Sequence, residues 1–212
     1  MPQFAEFGPA AAWLKRHPQV RCVDLLLADL MGIPRGKRVT AAELEGVHGT
    51  GLLLPGSMFA LDVLGGTVQS TGLGFDEGDA DRVCLPIAGT LVPVPWLGAD
   101  IAQMQVSMYE HDRTPFHGDP RHVLESVVAR FTALGLQPVM AVELEFYLVD
   151  RERTPAGHAQ PPRQPLTGRR EVKTQINSMQ ELDEYSAVLS AIAAAAREQD
   201  LPVGTVLAEY GP

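Results

Sequence analysis

Residues 139–150 read VMAVELEFYLVD, an apolar run interrupted by two carboxylates, Glu143 and Glu145. The run has the length and composition of a strand, and residues two apart in a strand share a face. Glu143 and Glu145 then project together, about 7 Å apart by two strand rises. Val139, Ala141, Tyr147 and Val149 lie on the same face, while Met140, Val142, Leu144, Phe146 and Leu148 make the other face wholly apolar. Two chemistries remain open. One is a sheet with one wet face, where the pair is harmless. In the other, like charges in a partly enclosed place share a cation, or one of them stays protonated. Hard divalent ions such as Mg²⁺ or Mn²⁺ take oxygen ligands of this kind. A third carboxylate, Glu209, ends a strand-like segment (VGTVLAE) just before Tyr210, Gly211 and Pro212, a position from which a side chain can point into a site or simply finish a strand.

Other patterns carry less. FDEGDADR holds four acidic residues but lacks the glycine and closing glutamate of a calcium loop in either register, and reads as a solvated acidic turn. PRGKRV reads as a solvated hairpin end. His111, His117, His122 and His158 have no ligand spacing and read as surface residues. No Gly-rich phosphate loop of either common type is present. Cys22 and Cys84 sit in no metal-binding pattern and read as two reduced thiols.

The elements that must position the carboxylates follow from periodicity. Residues 8–17 suggest a short helix stopped by Pro18. VRCVDLLLADLMGIPRGKRV reads as two strands joined around Met31 and Gly32. Thr40 and Glu43 form a capping box opening a helix over 41–48. A glycine-rich loop over 49–74 and a proline-limited edge, TLVPVPW, come next. Ala102, Met104, Val106 and Met108 alternate with polar residues, a half-buried strand. HDRTPFHGDPR marks a boundary. Asp119 and Pro120 then open a helix whose stripe is Val123, Leu124, Val127, Val128, Phe131 and Leu134, ended by Gly135. Residues 151–170 are a polar, Pro-rich connection, and a last helix covers 180–199. The pattern is α+β in two parts, 1–115 and 116–212.

Composition bounds the function. The 212 residues carry a net charge of -9, which argues against a general nucleic-acid binder. No apolar run reaches the ~20 residues of a membrane span, and none resembles a signal peptide. A soluble, cytoplasmic protein with no membrane partner is expected.

VELEFYL, followed by AEYGP, resembles the catalytic domain of the glutamine synthetase family. VDLLLADLMGIPRGKRV resembles that family's N-terminal β-grasp domain. GLGFDEGDADRVCLPIAGTLVPVPW resembles the branch that joins glutamate to amines other than ammonia, the γ-glutamylpolyamine (putrescine) synthetases. The resemblance runs from about residue 18 to the end. It implies an N-terminal β-grasp-like domain over 1–115 and the first part of a catalytic α/β domain over 116–212. It implies an ATP-dependent ligase that joins the γ-carboxylate of glutamate to ammonia or a polyamine through γ-glutamyl phosphate, with Mg²⁺ or Mn²⁺, in a homo-oligomeric ring. Glu145 and Glu209 match ligands of the ion on the glutamate side, and Glu143 a ligand of the ion on the nucleotide phosphates. Asp62 matches an acidic residue that reaches a neighbouring subunit's site and helps bind the amine or ammonium. Its loop, LDVLGGTV, departs from the family's pattern there, which puts ammonia in doubt as the acceptor.

The family motif that opens at AEYGP continues through a Gly-Gln pair to a further metal-ligand Glu, and the ATP-site residues lie beyond it. An N-terminal fragment, inactive alone in ATP-dependent amide formation, is therefore the expectation. The alternatives are an inactive, shortened relative that docks onto full-length subunits, and an unrelated metal-binding domain using the ExE pair.

Overall fold

The computed structural model describes residues 4–74, 78–170 and 175–210. Phe75, Asp76 and Glu77, which open FDEGDADR, and the closing Gly211 and Pro212 lie outside the described residues. The chain forms two compact units, Met1–Val139 and Met140–Pro212.

In the first unit, helix α1 (Phe7–Arg16) precedes strands β1 (Cys22–Ala28) and β2 (Pro34–Thr40). These two strands pair antiparallel, Val23 opposite Val39 and Leu27 opposite Arg35. Thr40 and Glu43 form the expected capping box ahead of α2 (Leu44–Thr50): the Thr40 amide and hydroxyl both donate to Glu43 Oε2, at 2.7 and 2.8 Å. Strands β3 (Leu52–Pro55), β4 (Asp81–Pro86), β5 (Val92–Pro93) and β6 (Ile101–Tyr109) complete one sheet, in the order β2-β1-β6-β4-β3. β6 pairs parallel with β1 on one side; on the other, β4 runs along its second half and the short β5 along its first.

The alternation legible in the sequence sets this core. Val23, Leu25 and Leu27 on β1 are buried, as are Ala102, Met104, Val106 and Met108 on β6, and the parallel register sets Val23 beside Ala102 and Leu25 beside Met104. Leu44 and Val47 of α2, Leu54, Phe59, Cys84 and Phe116 join the same cluster. Burial pushes the Cys84 thiol up to about 12, and both cysteines are free.

Helix α3 (Pro120–Ala133) is fastened to the sheet at its first turn. Asp119 is the N-cap: one carboxylate oxygen accepts from the Arg121 amide at 2.9 Å, the other from the Met108 amide of β6 at 2.8 Å. His122, read from the sequence as a surface residue, is buried instead. Its ring sits between Met108 O at 2.9 Å and Glu125 Oε2 at 3.0 Å. The third helical position faces the end of β6, which only the tertiary arrangement decides. Beyond this turn the apolar stripe of α3, from Val123 to Leu134, is exposed.

The second unit holds α4 (Met179–Glu184) and α5 (Ser186–Glu198), where the sequence suggested one helix; Tyr185 divides them. The Ser178 hydroxyl caps α4 by accepting from the Glu181 amide. Arg170 pairs with Asp150 at 2.8 Å. Among the described residues of 140–212, Glu184 alone is buried, and it accepts from the Leu166 amide at 2.9 Å. No helix among the described residues is long and apolar enough to cross a membrane.

Candidate functional site

The sequence placed Glu143 and Glu145 on a strand. The structure gives residues 136–150 no ladder partner, and the same holds for 201–210. A strand is a property of a pair: its amides and carbonyls need a neighbour. The described residues supply none, so the alternation of 139–149 has no sheet to sort it into two faces. Both of its faces are in water, with Val139 at 91% and Leu144 at 84% exposure.

Glu143, Glu145 and Glu209 are all exposed. Among the described residues, the segments that carry them are joined by a hydrogen bond from the Tyr147 hydroxyl to the Tyr210 carbonyl at 3.3 Å. A second bond, from the Asn177 amide to the Ala208 carbonyl at 2.7 Å, ties the Glu209 segment to the turn before α4. Glu145 lies two residues before Tyr147, and Glu209 one before Tyr210. The sequence reading did not single out this tyrosine pair; its signal was an aromatic at the end of each carboxylate motif.

A divalent ion can be tested against these groups. Their chemistry fits, since each carboxylate offers oxygens to a hard cation. Their arrangement does not: among the described residues no group of three or more His, Cys, Asp or Glu side chains is gathered to hold a metal. No catalytic step is therefore derived through an ion from this geometry.

Asp62 lies in the first unit, in the loop after a 3₁₀ turn at Gly56–Ala60. Its Oδ1 accepts from the amides of Leu64 and Gly66 at 2.9 and 2.8 Å. Leu61 and Thr67 pair across the base of the loop.

Comparison with known proteins places the chain. Residues 117–212 match the family described as "Glutamine synthetase, catalytic domain". The gamma-glutamylputrescine synthetase PuuA of Escherichia coli (strain K12) is 40% identical over 200 residues, which is 94% of this chain and 42% of that protein. The chain belongs to the glutamine synthetase family. The glutamine synthetase of Pyrococcus horikoshii is 30% identical over 131 residues, 61% of this chain and 26% of that enzyme. Among solved structures, the GmaS/ADP complex superposes with a TM-score of 0.65 at 16% identity, over 94% of this chain and 41% of that one. A structure described as a novel glutamine synthase homolog gives a TM-score of 0.65 at 20% identity, over 91% and 41%. These likenesses show that the mixed α+β fold of the chain is that of glutamine-synthetase-like proteins. The chain spans less than half the length of the relatives it matches.

Proposed function

We propose that this chain carries the first part of the machinery of an ATP-dependent ligase joining the γ-carboxylate of glutamate to an amine. The observation that carries the reading is the 40% identity to a gamma-glutamylputrescine synthetase over 94% of the chain. The balance is glutamate, amine and ATP to the γ-glutamyl amide, ADP and phosphate. In this reading Glu145 and Glu209 would hold one divalent ion and Glu143 a second, once partners beyond the described residues gather them. Such ions supply positive charge to the phosphoryl oxygens when bound. The loop around Asp62 serves amine recognition, with a diamine of the putrescine class favoured over ammonia. Residues 1–115 form a β-grasp-like domain, supported by the central parallel β1–β6 pair with antiparallel neighbours. Residues 116–212 belong to the catalytic domain.

The test is a product assay on this sequence joined to the C-terminal remainder of the E. coli relative, with ATP, Mg²⁺, glutamate and either putrescine or ammonium. Mass spectrometry should find γ-glutamylputrescine, and Glu145→Gln should slow its formation by about a hundredfold or more, the scale for losing a group that stabilises transferring charge. A folded protein giving neither γ-glutamylputrescine nor glutamine would refute the reading. A second reading, a non-catalytic partner of full-length subunits, has the exposed apolar run at 139–149 in its favour. Co-purification of this chain with a full-length subunit, without turnover, would favour it.

A further inference from the structure

We infer that Asp62 acts by shape and not by charge: it is a positioning residue that pins the loop 62–66 and fixes its two apolar residues, Val63 and Leu64, in water. The chain contains its own comparison. At the β1–β2 hairpin, Asp29 Oδ1 accepts from the amides of Met31 and Ile33, both at 2.8 Å. These are the residues two and four further on, the same offsets as Leu64 and Gly66 from Asp62. The backbone repeats too. The Asp29 amide donates to Ile33 O and the Gly32 amide to Asp29 O, both at 3.2 Å; the Asp62 amide donates to Gly66 O at 2.8 Å and the Gly65 amide to Asp62 O at 3.0 Å. Gly32 and Gly65 occupy the same left-handed position, with φ of 72° and 85°. The two residues after each aspartate are large and apolar, and all four are exposed, Leu64 at 92%.

A third loop shows why a side-chain oxygen acceptor is needed. At 110–114 the Glu110 amide donates to Thr114 O and the Arg113 amide to Glu110 O, with Arg113 at φ 66°. There the fifth amide, that of Thr114, goes to Asp112 Oδ1 at 2.9 Å. In this turn the first carbonyl is already taken by the fourth residue's amide. The fifth amide therefore has no backbone acceptor within the loop, and in all three loops a carboxylate oxygen fills that place. Asp29 does this work in a hairpin to which no substrate is assigned, so the geometry of Asp62 is accounted for by the turn. One difference remains. Asp29 Oδ2 accepts from Arg35 Nε at 2.9 Å, whereas Asp62 Oδ2 has no such cationic partner among the described residues. A charge-based role for Asp62 would have to use that oxygen.

Shape and charge can be separated on the 212-residue chain itself, independently of ligase activity. Amide exchange is measured at Leu64 and Gly66 in the wild type, Asp62→Asn and Asp62→Ala, with the amides of β6 as the control for folding. An asparagine keeps Oδ1 and loses the charge. Asp62→Asn should exchange within about threefold of wild type, and Asp62→Ala about tenfold or more faster, with β6 unchanged. Putrescine titration is the second readout: any response of these amides should be the same in wild type and Asp62→Asn, absence of response in both included. Two results would overturn the inference. One is protection that survives Asp62→Ala or is lost equally in Asp62→Asn; the other is a putrescine response present in wild type and abolished in Asp62→Asn.

Discussion

Asp29 and Asp119 are buried carboxylates whose work is to close backbone, and each shows what a residue in isolation does and does not announce. Asp119 before Pro120 is a legible helix start, because an aspartate there can take a free amide of the first turn. Its second oxygen, bonded to the Met108 amide, was not legible, since that contact joins residues brought together only by the sheet. For Asp29 the chemistry gives a pH dependence. Burial alone would raise its pKa, but the amides of Ile33 and Met31 and the Arg35 guanidinium outweigh burial and hold it below its ordinary value. A group whose pKa is lower when folded stabilises the fold above its unfolded pKa, and loses that contribution as pH falls through the folded value. Asp29→Asn should therefore cost about 1–3 kcal/mol at neutral pH, from a weakened set of charge-assisted bonds. Urea titrations on both proteins should show the difference shrinking once the pH drops below about 4, where the aspartate of the unfolded chain begins to protonate while the folded one still holds its charge. A gap that stays constant down to the acid limit would mean that the ionised form of Asp29 is not what stabilises the hairpin.

The elements divide by whether they have partners. The strands β1 and β6, the hairpin and the capping box were readable because local pattern and tertiary setting agree: alternating residues found a sheet with one buried face. Helix α3 was equally readable as a helix, with its start and end where Asp119 and Gly135 put them, yet its stripe does not become core beyond the first turn. Periodicity reports that a face is apolar and is silent on what covers it. Residues 139–149 carry the same lesson further, since there the missing neighbours remove the strand itself. Two phenylalanines turn this into a measurement. Phe59 is 2% exposed and packs with Phe116 at 5.7 Å between ring centroids, while Phe131 on α3 is 42% exposed. Phe59→Ala should cost about 3–5 kcal/mol, the range for emptying a buried aromatic site. Phe131→Ala should cost under about 1.5 kcal/mol, because most of its transfer free energy has not been realised. Equal losses in urea unfolding would show that the α3 face is covered in solution.

For the whole molecule, the imbalance between the two units matters more than any single contact. The hydrophobic cluster draws its buried residues from positions 10–116, while among the described residues of 140–212 only Glu184 is buried. A unit without a buried apolar core gains little from the hydrophobic term that dominates folding, and has little to set against chain entropy. The carboxylates proposed above as metal ligands, Glu143, Glu145 and Glu209, sit in this unit, on segments joined by the Tyr147–Tyr210 bond. Their residue types and order were legible because they are written in the sequence, whereas their gathering was not, because it requires strands to hold them. The second unit should therefore open far more readily than the first. Brief trypsin treatment should cut first at arginines of the exposed connection, Arg151, Arg153 and Arg163, leaving a resistant N-terminal piece that contains the whole β1–β6 sheet. Intact mass measurement identifies that piece directly. Early cleavage within the sheet instead, or equal resistance at the connection, would show that residues 140–212 hold a stability their burial does not account for. Cleavage in the expected order would place the folding core in the unit that carries Asp62 and leave the three glutamates on a unit that needs further partners to become a site.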